Sequence, residues 1–210
     1  MGYRALELIE EIIPLDGRDL VIFRPRAADE LIDEDAFEQR DEFIPYWADL
    51  WPSAILLARA LAGRALRGAR VLELGCGLGL PSIAAAIAGG RVLATDWAPE
   101  ALEAVRRNAA ANDVSVDAAV ADWRDLDAMC DLGPFDLVIA ADVLYERRNV
   151  SPLTDLLSAL DTEAWIADPG RPPAAQLLSD LELAGWNASA LTASDKPRVT
   201  VHRLEPGRMF

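Results

Sequence analysis

From residue 69 onward the hydrophobic pattern switches between two rhythms. Short apolar runs fall at Arg70–Leu74, Arg91–Thr95, Val114–Val120, Phe135–Ala140 and Ala164–Ala167, and helically spaced stretches fall between and after them at about 81–89, 99–111, 150–160 and 173–184. The stretch at 99–111 opens with Pro99-Glu100. Proline suits the first helical position, and an acid suits the positive end of the helix dipole. Strands that alternate with helices predict a parallel sheet covered on both faces. Right-handed crossovers then bring the carboxyl ends of the strands to one edge, where ligands bind.

The two ends of the chain break this rhythm. Trp186–Thr192 and Arg198–Leu204 are strand-like runs joined by Ala193-Ser194-Asp195-Lys196-Pro197, which predicts a hairpin. Near the amino end, Gly17–Phe23 reads as a short strand after the Leu15-Asp16-Gly17 turn, and Asp29–Glu42 is rich in acids. Phe43 to Pro52 contains four aromatic residues, and Ser53 is expected to cap a helix over 54–66. No repeat or low-complexity linker divides the chain. The expectation is one domain over 1–210, with 1–52 as an extension or lid and 53–210 as the catalytic core. The extension either faces a substrate or covers a sheet edge.

Composition narrows the classes. Asp and Glu outnumber Lys and Arg by 35 to 20, a net charge of −15. That balance disfavours general binding to nucleic acid and suits a cationic partner. The two cysteines, Cys76 and Cys130, form no metal-like pair, and the amino terminus lacks the apolar core of a secretory signal. No run is long enough to cross a membrane. These features lead to the expectation of a reduced, cytoplasmic protein without a metal. His202, the single histidine, is expected on a strand surface.

The chemistry concentrates in Val71-Leu72-Glu73-Leu74-Gly75-Cys76-Gly77-Leu78-Gly79-Leu80, followed by Asp96 at the end of the next apolar run. A glycine loop after a strand lets a cofactor approach the backbone, and an acid on the following strand can hold a ribose diol. The dinucleotide fingerprint G-x-G-x-x-G fits Gly75 and Gly77 but requires glycine where Leu80 stands. Glu73 would repel a pyrophosphate and attract a cation. S-adenosylmethionine carries an ammonium and a sulfonium and no phosphate. The loop therefore favours S-adenosylmethionine over NAD.

Five segments together resemble the class I, seven-strand methyltransferases, within them the protein-lysine methyltransferase branch whose members are often labelled nicotinamide N-methyltransferase-like. They are Pro45–Ala54, Glu73–Pro81, Ala94–Trp97, Asn108–Asn112 and Ala140–Glu146. The segment Ile166–Arg171 adds a weaker likeness to bacterial electron-transfer-flavoprotein lysine methyltransferases. The resemblance implies an α/β fold: a Rossmann-like, doubly wound, mostly parallel seven-stranded sheet with a carboxyl-terminal antiparallel hairpin. It implies S-adenosylmethionine contacts from Trp47, Glu73, Gly75, Cys76, Gly77, Asp96, Trp97, Asp122, Trp123 and Ala141. Asp96 would hold the ribose, Trp97 would cover the adenine, and Asp122 would take the adenine amine. Trp123 is either beside the adenine or in the core. Trp47 is either an entry to the methionine end or a packing residue.

The family pattern Asp-x-x-Tyr falls on Asp142 and Tyr145, which become the expected catalytic pair. Methyl transfer from a sulfonium is an in-line displacement in which positioning supplies much of the rate. A lysine must also lose a proton from a group with an ordinary pKa of about 10.4. Asp142 would orient the amine, and Tyr46, Trp47, Trp51 and Tyr145 would hold a methylammonium by cation–π contact. The expected acceptor is a lysine on a protein, steered by the negative surface, with a small amine as the alternative.

Overall fold

The computed structural model describes residues 7–15, 17–26 and 45–207. The acid-rich stretch 29–42, Phe43 and Ile44 of the aromatic cluster, and Asp16 of the first turn lie outside the described residues.

Nine strands and six helices are described. A hairpin of β1 (Leu8–Leu15) and β2 (Arg18–Pro25) precedes helix α1 (Pro52–Ala62). Next come β3 (Arg70–Leu74), α2 (Leu80–Ile87), β4 (Arg91–Asp96), α3 (Pro99–Ala111) and β5 (Asp117–Val120). Helix α4 (Leu126–Asp131), β6 (Leu137–Ala141), α5 (Val150–Leu160), β7 (Ala164–Asp168) and α6 (Pro172–Leu183) follow, and β8 (Asn187–Asp195) and β9 (Arg198–Glu205) close the chain. The main sheet has the order β5-β4-β3-β6-β7-β9-β8. Its first five strands are parallel, and β9 runs antiparallel between β7 and β8. This is the expected doubly wound sheet with a terminal hairpin.

The central strands are apolar throughout because both faces are covered. Val71, Leu137 and Ile139 point into one core with residues of α1, α2 and α3. Leu72, Leu74, Val138 and Ala140 point into a second core with α5 and α6. Strand order reverses at β3, whose neighbours β4 and β6 are reached by crossovers in opposite directions. That reversal opens a crevice at the carboxyl edge.

Several boundaries depart from the sequence expectation, each with a physical reason. Ser53 does not cap α1. Trp51 is the cap residue without a side-chain bond, because Pro52 supplies the first helical turn, and Ser53 lies inside it with its hydroxyl buried and unpartnered. The helix ends at Ala62 rather than at 66. Strand β5 begins at Asp117 rather than Val114, because Asp113 turns left-handed (φ 59°) and the Val114 amide bonds back to Ala109. Polar β8 extends through Ser194 to Asp195, so the hairpin turns over Lys196-Pro197 alone. His202 is half-buried on the internal strand β9, and burial holds its pKa below the ordinary value.

The β1–β2 hairpin pairs with no edge of the main sheet. It docks through two asparagines spaced four apart at the end of α3. The Asn108 side chain accepts from the Phe23 amide at 2.9 Å and donates to its carbonyl at 3.2 Å. Asn112 accepts from the Val21 amide at 2.9 Å and donates to its carbonyl at 2.7 Å. Four residues of helix rise about 6 Å, close to the span of two residues in a strand, so the two amides meet alternate backbone positions of β2. Asn108 also donates to the Leu78 carbonyl at 2.9 Å. One buried side chain thus links the hairpin, α3 and the glycine loop.

Candidate functional site

An acid stands at or just beyond the carboxyl end of every parallel strand: Glu73 on β3, Asp96 on β4, Asp122 after β5, Asp142 after β6 and Asp168 on β7. A cavity of about 470 Å³ opens beside the first four. Its walls include all the predicted site residues: Trp47, Glu73, Gly75, Cys76, Gly77, Asp96, Trp97, Asp122, Trp123, Ala141, Asp142 and Tyr145.

The glycine loop leaves β3 with Gly75, Gly77 and Gly79 all at positive φ. Glycine is also required by contact. A Cβ at Gly79 would meet Val105 at 2.7 Å, and one at Gly77 would meet the Trp47 carbonyl at 3.2 Å. The loop is pressed between α3 and the aromatic segment 46–51. Glu73 is 1% exposed. Its carboxylate receives the amide of Ser82 at 3.0 Å and the Ser82 hydroxyl, tying the strand end to the first turn of α2. Burial outweighs those bonds and raises its pKa to about 8. Cys76 is buried with a thiol pKa pushed upward by the same desolvation.

Asp96 accepts from the Gly77 amide at 3.0 Å and from the Ala98 amide at 3.0 Å. Its two oxygens hold the glycine loop and the start of α3, while burial raises its pKa. Trp97 beside it is 48% exposed. Asp122 is paired with Arg124 at 2.8 Å, which lowers its pKa. Trp123 lines the cavity and also packs against the second core. Trp47 does likewise, joining the first core from a short 3-10 turn over Tyr46–Ala48.

At the opposite wall, Asp142 is 8% exposed and sits in the left-handed region at φ 60°. Its amide donates to the Ala167 carbonyl at 3.0 Å, and its carboxylate is ion-paired with Arg171. The Tyr145 ring lies 5.1 Å from that of Tyr46, which lies 6.2 Å from that of Trp51. Partial burial raises the Tyr145 pKa. These three rings form the aromatic wall, and Trp47 contributes from the side of the core.

Sequence reasoning missed Arg171. Its guanidinium lines the cavity and contacts both Asp142 and Asp168, the latter at 3.3 Å. The signal was present in Asp168-Pro-Gly-Arg171: a Pro-Gly turn that directs the chain back over the strand ends. Asp168 accepts from the amides of Gly170 and Arg171, both at 2.6 Å, which brings the guanidinium back toward β6.

The donor set fits a cationic nucleoside better than a dinucleotide. Among the described residues, the arginines at the cavity each contact a carboxylate: Arg124 with Asp122, Arg148 with Glu146, and Arg171 with Asp142 and Asp168. Beside the glycine loop stands Asp96, a carboxylate that suits a diol, whereas Glu73, expected to face a cation, is buried and turned to Ser82.

Comparison with known proteins agrees with this geometry. A family model described as lysine methyltransferase matches residues 40–166. The chain is 36% identical over 140 residues to the electron transfer flavoprotein beta subunit lysine methyltransferase of Xenopus laevis, covering 60% of this chain and 53% of that protein. It is 32% identical over 154 residues to the histone-arginine methyltransferase METTL23 of Xenopus laevis, covering 70% and 62%. The chain therefore spans about half to three fifths of the length of these curated relatives. Among solved structures, magnesium protoporphyrin IX methyltransferase of Synechocystis with bound S-adenosylmethionine shares the fold at a TM-score of 0.57 and 21% identity, over 72% of this chain and 76% of that one.

Proposed function

Because the chain belongs to the lysine methyltransferase family, we propose that it transfers a methyl group from S-adenosylmethionine to a lysine side chain of a protein. The observation that carries this reading is a single cavity whose walls hold both the glycine loop with its acids and the Asp142–Tyr145 pair. When bound, S-adenosylmethionine supplies an electrophilic methyl on a positively charged sulfur. Asp96 and the backbone of Gly75 and Gly77 would hold its ribose and ammonium, with Glu73 bracing the strand end through Ser82, and Trp97, Asp122 and Trp123 would hold its adenine.

In the transfer, the lone pair of a neutral lysine nitrogen forms the new N–C bond. The C–S pair returns to sulfur, leaving S-adenosylhomocysteine and a methylated ammonium whose proton passes to water. The protein's part is to align the nitrogen and to keep it unprotonated. Asp142 orients the nitrogen from the cavity floor. Tyr46, Trp51 and Tyr145 flank the mouth, where an aliphatic stem and a cationic head both find favourable contact. Tyr46, Trp47, Asp49, Leu50 and Trp51 wall the entry.

The acidic surface supports a basic protein region as acceptor and weighs against nucleic acid. Two free cysteines, one of them buried in the glycine loop, support a reducing, cytoplasmic setting. The relatives offer a concrete acceptor to try, the beta subunit of electron transfer flavoprotein. The protein is incubated with S-adenosylmethionine and that subunit, and the products are read by mass spectrometry. The reading expects lysine methylation there or, in a lysate used as the wider acceptor pool, on another protein. Methyl groups on arginine in place of lysine, or on small amines alone, would contradict it.

A further inference from the structure

The ion pair on Asp142 creates a difficulty for the acceptor. A lysine reaching Asp142 as an ammonium would meet the guanidinium of Arg171, which already contacts one oxygen of the carboxylate. Two features keep the guanidinium in place, and a second cation beside it would be repelled. Asp142 is 8% exposed, so its carboxylate is compensated from within the protein by Arg171. Arg171 is held a second time by Asp168, which is 1% exposed and itself accepts two backbone amides.

Resting on the methyl-transfer reading above, we propose that Arg171 is a positioning residue that fills the charge requirement of Asp142, so that the acceptor nitrogen enters as a neutral amine and not as an ammonium. Asp142 keeps an oxygen lone pair for an N–H of that amine, so its direction is set without its charge being offered. The nucleophile's lone pair is then available at the moment of attack.

The other charged and titratable groups around this wall leave that conclusion in place. Glu146 is paired with Arg148 on the segment after β6. Tyr46 and Asp49 face the cavity from the segment before α1, Tyr145 from the loop after β6, and Glu73, Cys76 and Asp96 from the far wall. His202 on β9 interacts with Asp168 from behind, and burial lowers its pKa. Removing Arg171 deletes the cation in contact with Asp142, so the local field turns toward favouring an ammonium.

The test uses two analogues of S-adenosylhomocysteine with a CH group in place of sulfur. One bears an aminoethyl arm, and the other bears a propyl arm of the same shape. Their affinities for the wild type, R171M and R171K are measured by titration calorimetry between about pH 7 and pH 9. The arm's amine has an ordinary pKa of about 10.4, and binding it neutral strengthens affinity about tenfold per pH unit. The wild type and R171K should show that slope in the ratio of amine-arm to propyl-arm affinity. R171M should show a flat ratio and bind the amine arm at pH 7 at least about tenfold more tightly, relative to the propyl arm, than the wild type does. A purely structural role for Arg171 would weaken both analogues alike without changing the slope. A flat ratio in the wild type, or an undiminished slope in R171M, overturns the proposal. Failure of the wild type to bind S-adenosylhomocysteine itself would instead overturn the underlying reading of the cavity.

Discussion

Glu73 shows how one residue can be legible in kind and yet differ in detail. Its position before the glycine loop pointed to a cation site. The structure adds that the carboxylate is buried and engaged with Ser82, with a pKa raised from 4.5 to about 8. The folded protein therefore retains a proton that the unfolded chain has released. Stability is full below about pH 4.5 and declines as pH rises through about 8. Asp96 adds a slope of the same sign, and His202, held below its ordinary value, opposes it at the acidic end. In chemical denaturation of the ligand-free protein, E73Q should flatten most of the decline between pH 6 and pH 9, a difference on the order of a few kcal/mol at the alkaline end. Ser53 offers a simpler case. Its hydroxyl is buried without a partner, so S53A should raise stability by about 1 kcal/mol in the same measurement, whereas a true cap would lose a similar amount. Arg171 was illegible for another reason: an arginine after a Pro-Gly turn reads as surface until β6 and β7 are seen side by side.

Among the elements, those that bury apolar runs were legible and those that do not were missed. The strands β3, β4, β6 and β7 and the helices α2, α3, α5 and α6 carry strong periodicity and lie within a few residues of expectation. Strand β1 sets the adjacent Glu10 and Glu11 between isoleucines and sits outside the main sheet, and α4 has six residues with one fully buried side chain. Neither leaves a strong pattern, because neither faces a full core. The hairpin's attachment was hidden as well, since a helix's asparagines show no preference for a strand until the two are in contact. That contact carries a prediction. Both N108A and N112A should lower the melting temperature by loosening β2. Only Asn108 also bonds the Leu78 carbonyl. N108A should therefore weaken S-adenosylhomocysteine binding about tenfold by calorimetry, and N112A by no more than about twofold. Equal losses in the two variants would show that the hairpin, and not the Leu78 bond, supports the loop.

At the scale of the whole molecule, the sheet order places five acids along one edge and gives each a different task through its neighbours. Glu73 ties β3 to α2, Asp96 braces the glycine loop, Asp122 is neutralised by Arg124, and Asp142 and Asp168 share Arg171. The sequence showed the alternation that builds this edge and four of its five acids. The sharing of Arg171 follows only from the parallel pairing of β6 with β7. The central claim is that this edge moves a methyl group to protein lysine. It is tested most directly by incubating the wild type and D142A with methyl-labelled S-adenosylmethionine and a cell lysate, then locating the label by mass spectrometry. The account predicts label on lysine side chains with the wild type, and a loss of at least about a hundredfold with D142A while cofactor affinity stays within a few-fold. Label confined to small molecules, or undiminished transfer by D142A, would contradict it.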